Sequence, residues 1–228
     1  MTLEEAIAKI KPLDHNAMEI AQKRWDSIAK PLHSLGKLET LLIQIAGITG
    51  NAEVDLSRKG LIAMCADNGV VEEGVTQTGQ EVTAIVAENF LKYDTSVGVM
   101  CKQNHAEIFP VDMGMVTDTK VRTDHKIAYG TQNMTKGPAM TREQAVKGLE
   151  AGIDMVRELN DKGYRILATG EMGIGNTTTS SAVASVLLKQ PVEEMTGRGA
   201  GLTSEGLVRK INAIKKAIAL NEPDPEDA

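Results

Sequence analysis

A chain of 228 residues with 42% hydrophobic and 25% charged side chains can bury one substantial core, which excludes a disordered or collagen-like polypeptide. Its 31 acidic residues outnumber 25 Lys and Arg for a formal charge of -6, so the dense basic surface that releases counterions from nucleic acid is not expected. Aromatic residues make up only 3%, which leaves Ala, Val, Ile, Leu and Met to build the core and argues against stacking platforms for single strands.

The opening "MTLEEAIAKIKPLDH" is acidic and amphipathic without a signal-like apolar centre, and no stretch reaches the ~18 apolar residues of a membrane span. A soluble, cytoplasmic protein with no membrane partner is expected. Leu3, Ile7 and Ile10, then Met18, Ile20, Ala21 and Trp25, then Leu38, Leu41, Leu42, Ile45 and Ile48 recur at helical spacing. "KPLHSLGKLE" interrupts them, with Pro31 and Gly36 as breakers and Ser34 expected to cap the next helix. Residues 1–50 therefore read as an N-terminal helical arm and residues 51–228 as the main domain.

From Gly60 the pattern changes. Short apolar runs, "LIAMCA", "AEIFPVDM" and "YRILAT", alternate with helical segments at Gln80–Leu91, Ser96–Gln103, Thr141–Asn160, Thr177–Leu188 and Ser204–Leu220. Strands apolar on both faces, separated by helices, indicate a parallel sheet covered on both sides, an α/β doubly wound fold. Cys65 and Cys101 lack ligand spacing and read as reduced, buried small hydrophobes. The four histidines show no metal-ligand spacing, so no metal site is expected. The end, "NEPDPEDA", reads either as a frayed acidic tail or as a linker to a further C-terminal portion.

The chemistry concentrates in "GEMGIGNTTTSSA", directly behind the third strand. Gly173 and Gly175 let backbone approach a ligand, and Asn176 and Thr177 can cap a helix whose N–H groups face outward, a setting for phosphate. The alternative is a helix cap with close packing through Ala182, Ala184 and Ser185. A P-loop fails for want of Lys in this segment, and a dinucleotide fingerprint fails at Thr178, where its third glycine would stand. Glu171 could orient a ribose hydroxyl or stabilise positive charge on a sugar ring, or only pair with a neighbouring cation. "GRGAGLTSEGLVRK" offers Lys210 or Arg209 as the cation for a phosphate, or simply as a solvated helix charge. Asp67 at the first strand's end reads as a ligand contact or an Asx-turn cap, and Thr76, Gln77, Thr78 and Gln80 as partners for a heterocycle or as loop polarity.

Together, "KPLHSLGKLETL", "ADNGVVEEGVT", "GPAMTREQA", "GEMGIGNTTTSSA", "GRGAGL" and "AIALNEPDPED" resemble the nicotinate-nucleotide:dimethylbenzimidazole phosphoribosyltransferases of cobalamin nucleotide-loop assembly. The resemblance implies a cytoplasmic homodimer with a parallel-sheet domain and a smaller helical domain to which the N-terminal helices contribute. It implies transfer of phosphoribose from nicotinate mononucleotide to 5,6-dimethylbenzimidazole or a related base, with inversion and with no metal or organic cofactor. By the same resemblance Glu171, Gly173, Ile174, Gly175, Asn176 and Thr177 belong to the phosphoribosyl motif, Gly199 and Lys210 to a second phosphate-contacting segment, and Asp67, Thr78 and Met172 to the base side. The family pattern continues past "NEPDPED" into strands that carry a general-base glutamate, which this sequence does not contain. The expectation is a family member incomplete at its C-terminus that binds substrate but turns over poorly, or serves as a phosphoribosyl-binding module or subunit.

Overall fold

The computed structural model describes residues 1–227. Three helices lead the chain: α1 (Leu3–Ala8), α2 (His15–Ser27) and α3 (Lys37–Thr49). Thr2 and Glu5 close a capping box on α1, but none of its residues is buried. The expected apolar face at Leu3 and Ile7 is thus not a core face, and Ile10 falls beyond the helix. Its N-terminal end holds it instead, with the Met1 amino group 3.1 Å from Asp154 and the Leu3 N–H donating to Glu150. Asp14 caps α2 by accepting the Ala17 N–H. Gly47 of α3 allows α2 to approach, since a Cβ there would lie 2.7 Å from Met18 side-chain atoms.

Ser34 does not cap α3. The N-cap is Gly36 at φ 54, with no side-chain bond, because the chain turns at Pro31 and places Ser34 two residues before the helix boundary, where its N–H donates to the Pro31 carbonyl. Glu39 takes over the anchoring: buried in the first turn, it accepts the Leu35 N–H and pairs with Lys30 at 2.8 Å.

The sheet has three parallel strands, β1 (Lys59–Ala66), β2 (Ala106–Gly114) and β3 (Ile166–Met172), in the order β2-β1-β3. Helices α4 (Glu81–Lys92) and α5 (Ser96–Gln103) join β1 to β2, and α6 (Arg142–Asp161) precedes β3. Side chains alternate along β1, so Ala63 and Cys65 pack with Ala84, Ala87 and Phe90 of α4. Ile62 turns the other way, onto Met155 and Leu159 of α6. Helices therefore cover opposite faces, the doubly wound α/β arrangement expected from strands apolar on both sides. Cys65 and Cys101 are buried and free, and burial, with Glu171 adding to it, pushes the Cys65 thiol up to about 12.

The third strand starts later and ends later than "YRILAT" suggests. Tyr164 lies before it, edge-on to Phe109 at 5.2 Å, and the ladder runs on through Gly170, Glu171 and Met172. Leucine and isoleucine mark its beginning, but its end is set by pairing with β1, which periodicity does not reveal. The outer edge of β2 is engaged where the Asp112 N–H donates to the Arg122 carbonyl. Along β3 no further strand pairs among the described residues, and Ile166, Ala168, Thr169 and Glu171 are exposed.

After β3 come α7 (Asn176–Leu187), α8 (Val192–Met195) and α9 (Ser204–Asn221). Ala182, Val192, Ala213, Ile214 and Ala217 from these helices join Val70, within a 3-10 turn at Gly69–Glu73, and Val75, just after it, in one core. This core ties the segment after β1 to the segment after β3, at the carboxyl ends of neighbouring strands where ligands bind in such sheets. Among the described residues, no helix is long and apolar enough to cross a membrane.

Two substitutions on α6 separate its packed and open sides. Leu159 is fully buried, so Leu159→Ala is expected to lower stability by about 2–5 kcal/mol. Gly152 has nothing within 4 Å of where a Cβ would stand, so Gly152→Ala is expected to add about 0.5–1 kcal/mol. Urea denaturation of both variants checks the assignment; equal effects would contradict it.

Candidate active site

A cleft of about 280 Å³ opens at the carboxyl end of β3. Three segments wall it: Val75 to Thr78 after β1, Met172 to Thr177 after β3, and Arg198 to Ala200 with Leu202 ahead of α9. Gln77 bridges the first and third by donating to the Gly201 carbonyl. The structure thus brings Thr78, Met172, Gly173, Ile174, Gly175, Asn176, Thr177 and Gly199 to one place, although they are spread over more than a hundred positions of sequence.

The glycines fit by contact rather than by composition. A Cβ on Gly173 would lie 2.2 Å from the Ala66 carbonyl oxygen, and backbone cannot retreat. Gly175, at φ 92, is the N-cap of α7 and has Val71 2.9 Å from where its Cβ would be. Gly199, at φ 56, lets its loop close to 2.8 Å from Thr177 Oγ1, measured from the same hypothetical position.

The backbone donors are more selective than a bare row of amides. The Ile174 N–H is committed to Thr83 Oγ1 at 3.0 Å, the Asn176 N–H to the Gly173 carbonyl at 3.0 Å, and the Thr178 N–H to the Gly175 carbonyl at 2.9 Å. The N–H groups of Gly175 and Thr177 have no acceptor among the described residues. They open the first turn of α7, where the helix dipole favours an anion. Ile174 is therefore a wall residue whose amide is already satisfied.

Lys210 is the electrostatic centre. Its side chain projects from α9, fully buried, and Nζ donates to Thr177 Oγ1 at 2.7 Å and to the Gly197 carbonyl at 3.1 Å. No carboxylate pairs with it among the described residues. Burial accordingly holds its pKa below the ordinary lysine value. Arg209, the other cation weighed for this role, lies outside and donates to the Gly74 carbonyl. Arg198, which sequence reasoning passed over although it stands inside "GRGAGL", lines the cleft with its guanidinium on the Leu202 carbonyl and the Ser204 hydroxyl.

Glu171 does not itself line the cleft; it stands beside it, accepting a hydrogen bond from the side-chain amide of Asn176, which does. Its side chain reaches solvent, yet the protein atoms crowded around the carboxyl raise its pKa, with the Asn176 bond opposing. Asp67 is brought to the same sheet end but does not line the cleft. It is wholly buried, Oδ2 accepts the Val116 N–H at 2.8 Å, and burial raises its pKa. Among the described residues, no cluster of His, Cys, Asp or Glu could hold a metal ion.

A phosphoribosyltransferase family model (DBI_PRT) matches residues 10–228. The nicotinate-nucleotide–dimethylbenzimidazole phosphoribosyltransferase of Ruminiclostridium cellulolyticum is 52% identical over 229 residues, covering 100% of this chain and 65% of that protein. The protein of the same description from Clostridium tetani is 47% identical, over 99% of this chain and 63% of its own length. The crystal structure of CobT from Thermus thermophilus superposes with a TM-score of 0.81 at 36% identity, over 90% of this chain and 62% of that one. The chain spans less than two thirds of the length of these relatives.

An ammonium buried without a counter-ion destabilises the empty protein. A lysine whose folded pKa lies below its unfolded value penalises folding fully below the folded pKa, and the penalty fades as pH rises from there toward the ordinary lysine value of 10.5. Lys210→Met keeps most of the volume and removes the charge. It is expected to raise stability at neutral pH and to flatten the alkaline part of the stability profile, as read by urea denaturation across pH; a destabilised variant with an unchanged profile would contradict this.

Proposed function

Because this chain belongs to the nicotinate-nucleotide–dimethylbenzimidazole phosphoribosyltransferase family, we propose that its cleft binds nicotinate mononucleotide by the phosphoribosyl group for transfer to a 5,6-dimethylbenzimidazole-type base. The products are α-ribazole 5′-phosphate and nicotinate, a step of cobalamin biosynthesis. The observation that carries this reading is the buried Lys210 ammonium, hydrogen-bonded to Thr177 at the start of α7 and without a carboxylate partner among the described residues. A phosphate seated there meets Lys210 and the unused Gly175 and Thr177 amides, and supplies the missing negative charge.

The ribose then extends toward the rim where Glu171 stands. As the bond from C1′ to the nicotinate nitrogen breaks, its electron pair returns to the ring nitrogen and neutralises the pyridinium. Positive charge builds on the sugar, and an ionised Glu171 beside it stabilises that charge. Since the Glu171 pKa is raised, this help is lost as pH falls through that value and is complete only above it. The incoming base forms the new bond to C1′ from its ring nitrogen and must give up its other nitrogen's proton to a carboxylate. Thr76, Gln77 and Thr78 offer polar partners for the heterocycle, and Val75, Met172 and Leu202 its apolar bed.

The proposal extends to a homodimer in the cytoplasm, with residues 1–50 contributing to a smaller helical domain. Support for self-association comes from Ile28, Leu32, Leu35, Leu38 and Leu41, which stand exposed around the α2–α3 connection and make an apolar surface that a monomer would not normally leave open. The reduced state of Cys65 and Cys101 suits that compartment.

Isothermal titration of residues 1–228 with nicotinate mononucleotide tests binding, and Lys210→Met is expected to weaken it about 10- to 100-fold. Equal affinities would remove Lys210 from the phosphate site. Chromatography of nicotinate release in the presence of dimethylbenzimidazole tests transfer separately; binding without release favours the reading of a phosphoribosyl-binding module or subunit. Sedimentation velocity reads the dimer, and Leu32→Asp is expected to shift it toward monomer.

A further inference from the structure

The two successive peptide units that meet at Ile174 are each held by a residue that does not line the ligand cleft. The Ile174 N–H donates to Thr83 Oγ1 at 3.0 Å, from the first turn of α4, and its carbonyl accepts from Asn68 Nδ2 at 3.2 Å, from the end of β1. We propose that Thr83 and Asn68 are positioning residues that clamp the Gly173–Ile174 and Ile174–Gly175 peptides respectively and so set the Gly173–Thr177 turn in the orientation that offers its remaining amides to phosphate.

Thr83 is fully buried and its oxygen is spent accepting Ile174, so its hydroxyl hydrogen needs an acceptor of its own. The Asp67 carboxyl lies beside it: the Thr83 hydroxyl lowers the Asp67 pKa against the larger upward effect of burial. Asp67 Oδ1 is buried with no hydrogen-bond partner among the described residues, so it has a lone pair free for that hydrogen. The Asn68 amide faces Ile174 with Nδ2, while Oδ1 lies 3.4 Å from the Thr179 hydroxyl, whose nearer acceptor is the Asn176 carbonyl at 2.9 Å. The Asn68 carbonyl in turn accepts from Gln80 Nε2 at 3.1 Å. A turn with glycine on either side of Ile174 has wide conformational freedom by itself; rotating the Ile174–Gly175 peptide, whose carbonyl Asn68 holds, would redirect the Gly175 N–H, and the Thr83 bond to the preceding peptide limits that rotation. Asp67 therefore serves the site from below it, through Thr83, rather than by touching a base.

This inference rests on the phosphate reading of the cleft, and the test separates the two. Affinities of nicotinate mononucleotide and of nicotinic acid riboside, which lacks only the 5′-phosphate, are measured by calorimetry for the 228-residue protein and its variants. Unmodified protein is expected to prefer the nucleotide; no preference would sink the phosphate reading itself. Thr83→Val, which removes the hydroxyl at nearly constant shape, is expected to lose about tenfold in nucleotide affinity while leaving the riboside within about twofold, and Thr83→Ser is expected to restore it. Asn68→Ala removes the opposite side of the clamp and gives an independent reading with the same expectation, should Thr83→Val not fold. The clamp is overturned if the folded variants bind the nucleotide as the unmodified protein does, or if both ligands weaken by the same factor.

Discussion

A single ammonium group, Lys210 Nζ, organises the molecule's functional end. It is buried with two neutral oxygens for company, Thr177 Oγ1 and the Gly197 carbonyl, and with no carboxylate to balance it among the described residues. Burial of an unpaired charge is unfavourable, and negative charge arriving beside it would offset that cost. The surroundings are built to that geometry. Gly199 passes close to Thr177 where a side chain would clash, α9 packs with α7 and delivers the lysine, and the turn after β3 leaves amides unused.

The sheet supplies the rigid frame for this charge. β1 is central and buried on both faces, so the residues just beyond its end, Asp67 and Asn68, are held firmly enough to serve as anchors for a neighbouring turn. Close-packed surroundings transmit that rigidity to Ile174. The parts that wall the cleft are mostly loops, and the parts that fix those loops are strand ends and a helix start.

Much of this is legible in the chain itself. Five helices after Gly60 are marked by apolar periodicity and, at Thr95, Thr141 and Thr203, by capping threonines, and their ends lie within a residue of expectation, whereas the single-turn α8 is not anticipated. The glycine-rich stretch stands out because bare backbone and hydroxyls with no lysine nearby pose a chemical question. The lysine that answers it lies more than thirty residues away, and its own surroundings in sequence read as a solvated helix charge until the family resemblance singles it out. Less readable is anything set by tertiary contact. The last residues of β3 are strand because β1 pairs with them, Gly36 rather than Ser34 starts α3 because of a bend at Pro31, and Ile174 spends its amide on Thr83, a residue with no sequence signal beyond sitting on a helix. Arg198 is masked by its glycine neighbours, which carry the more conspicuous pattern.

The open flank of β3 carries one more implication. Glu171 is both the rim carboxylate of the cleft and a residue of that flank, so whatever docks along the strand also changes how wet and how mobile this carboxylate is. Were a partner to take the flank and an anion the cleft, any coupling between them through Glu171 would be reciprocal, each changing the other's affinity by the same factor and in the same sense.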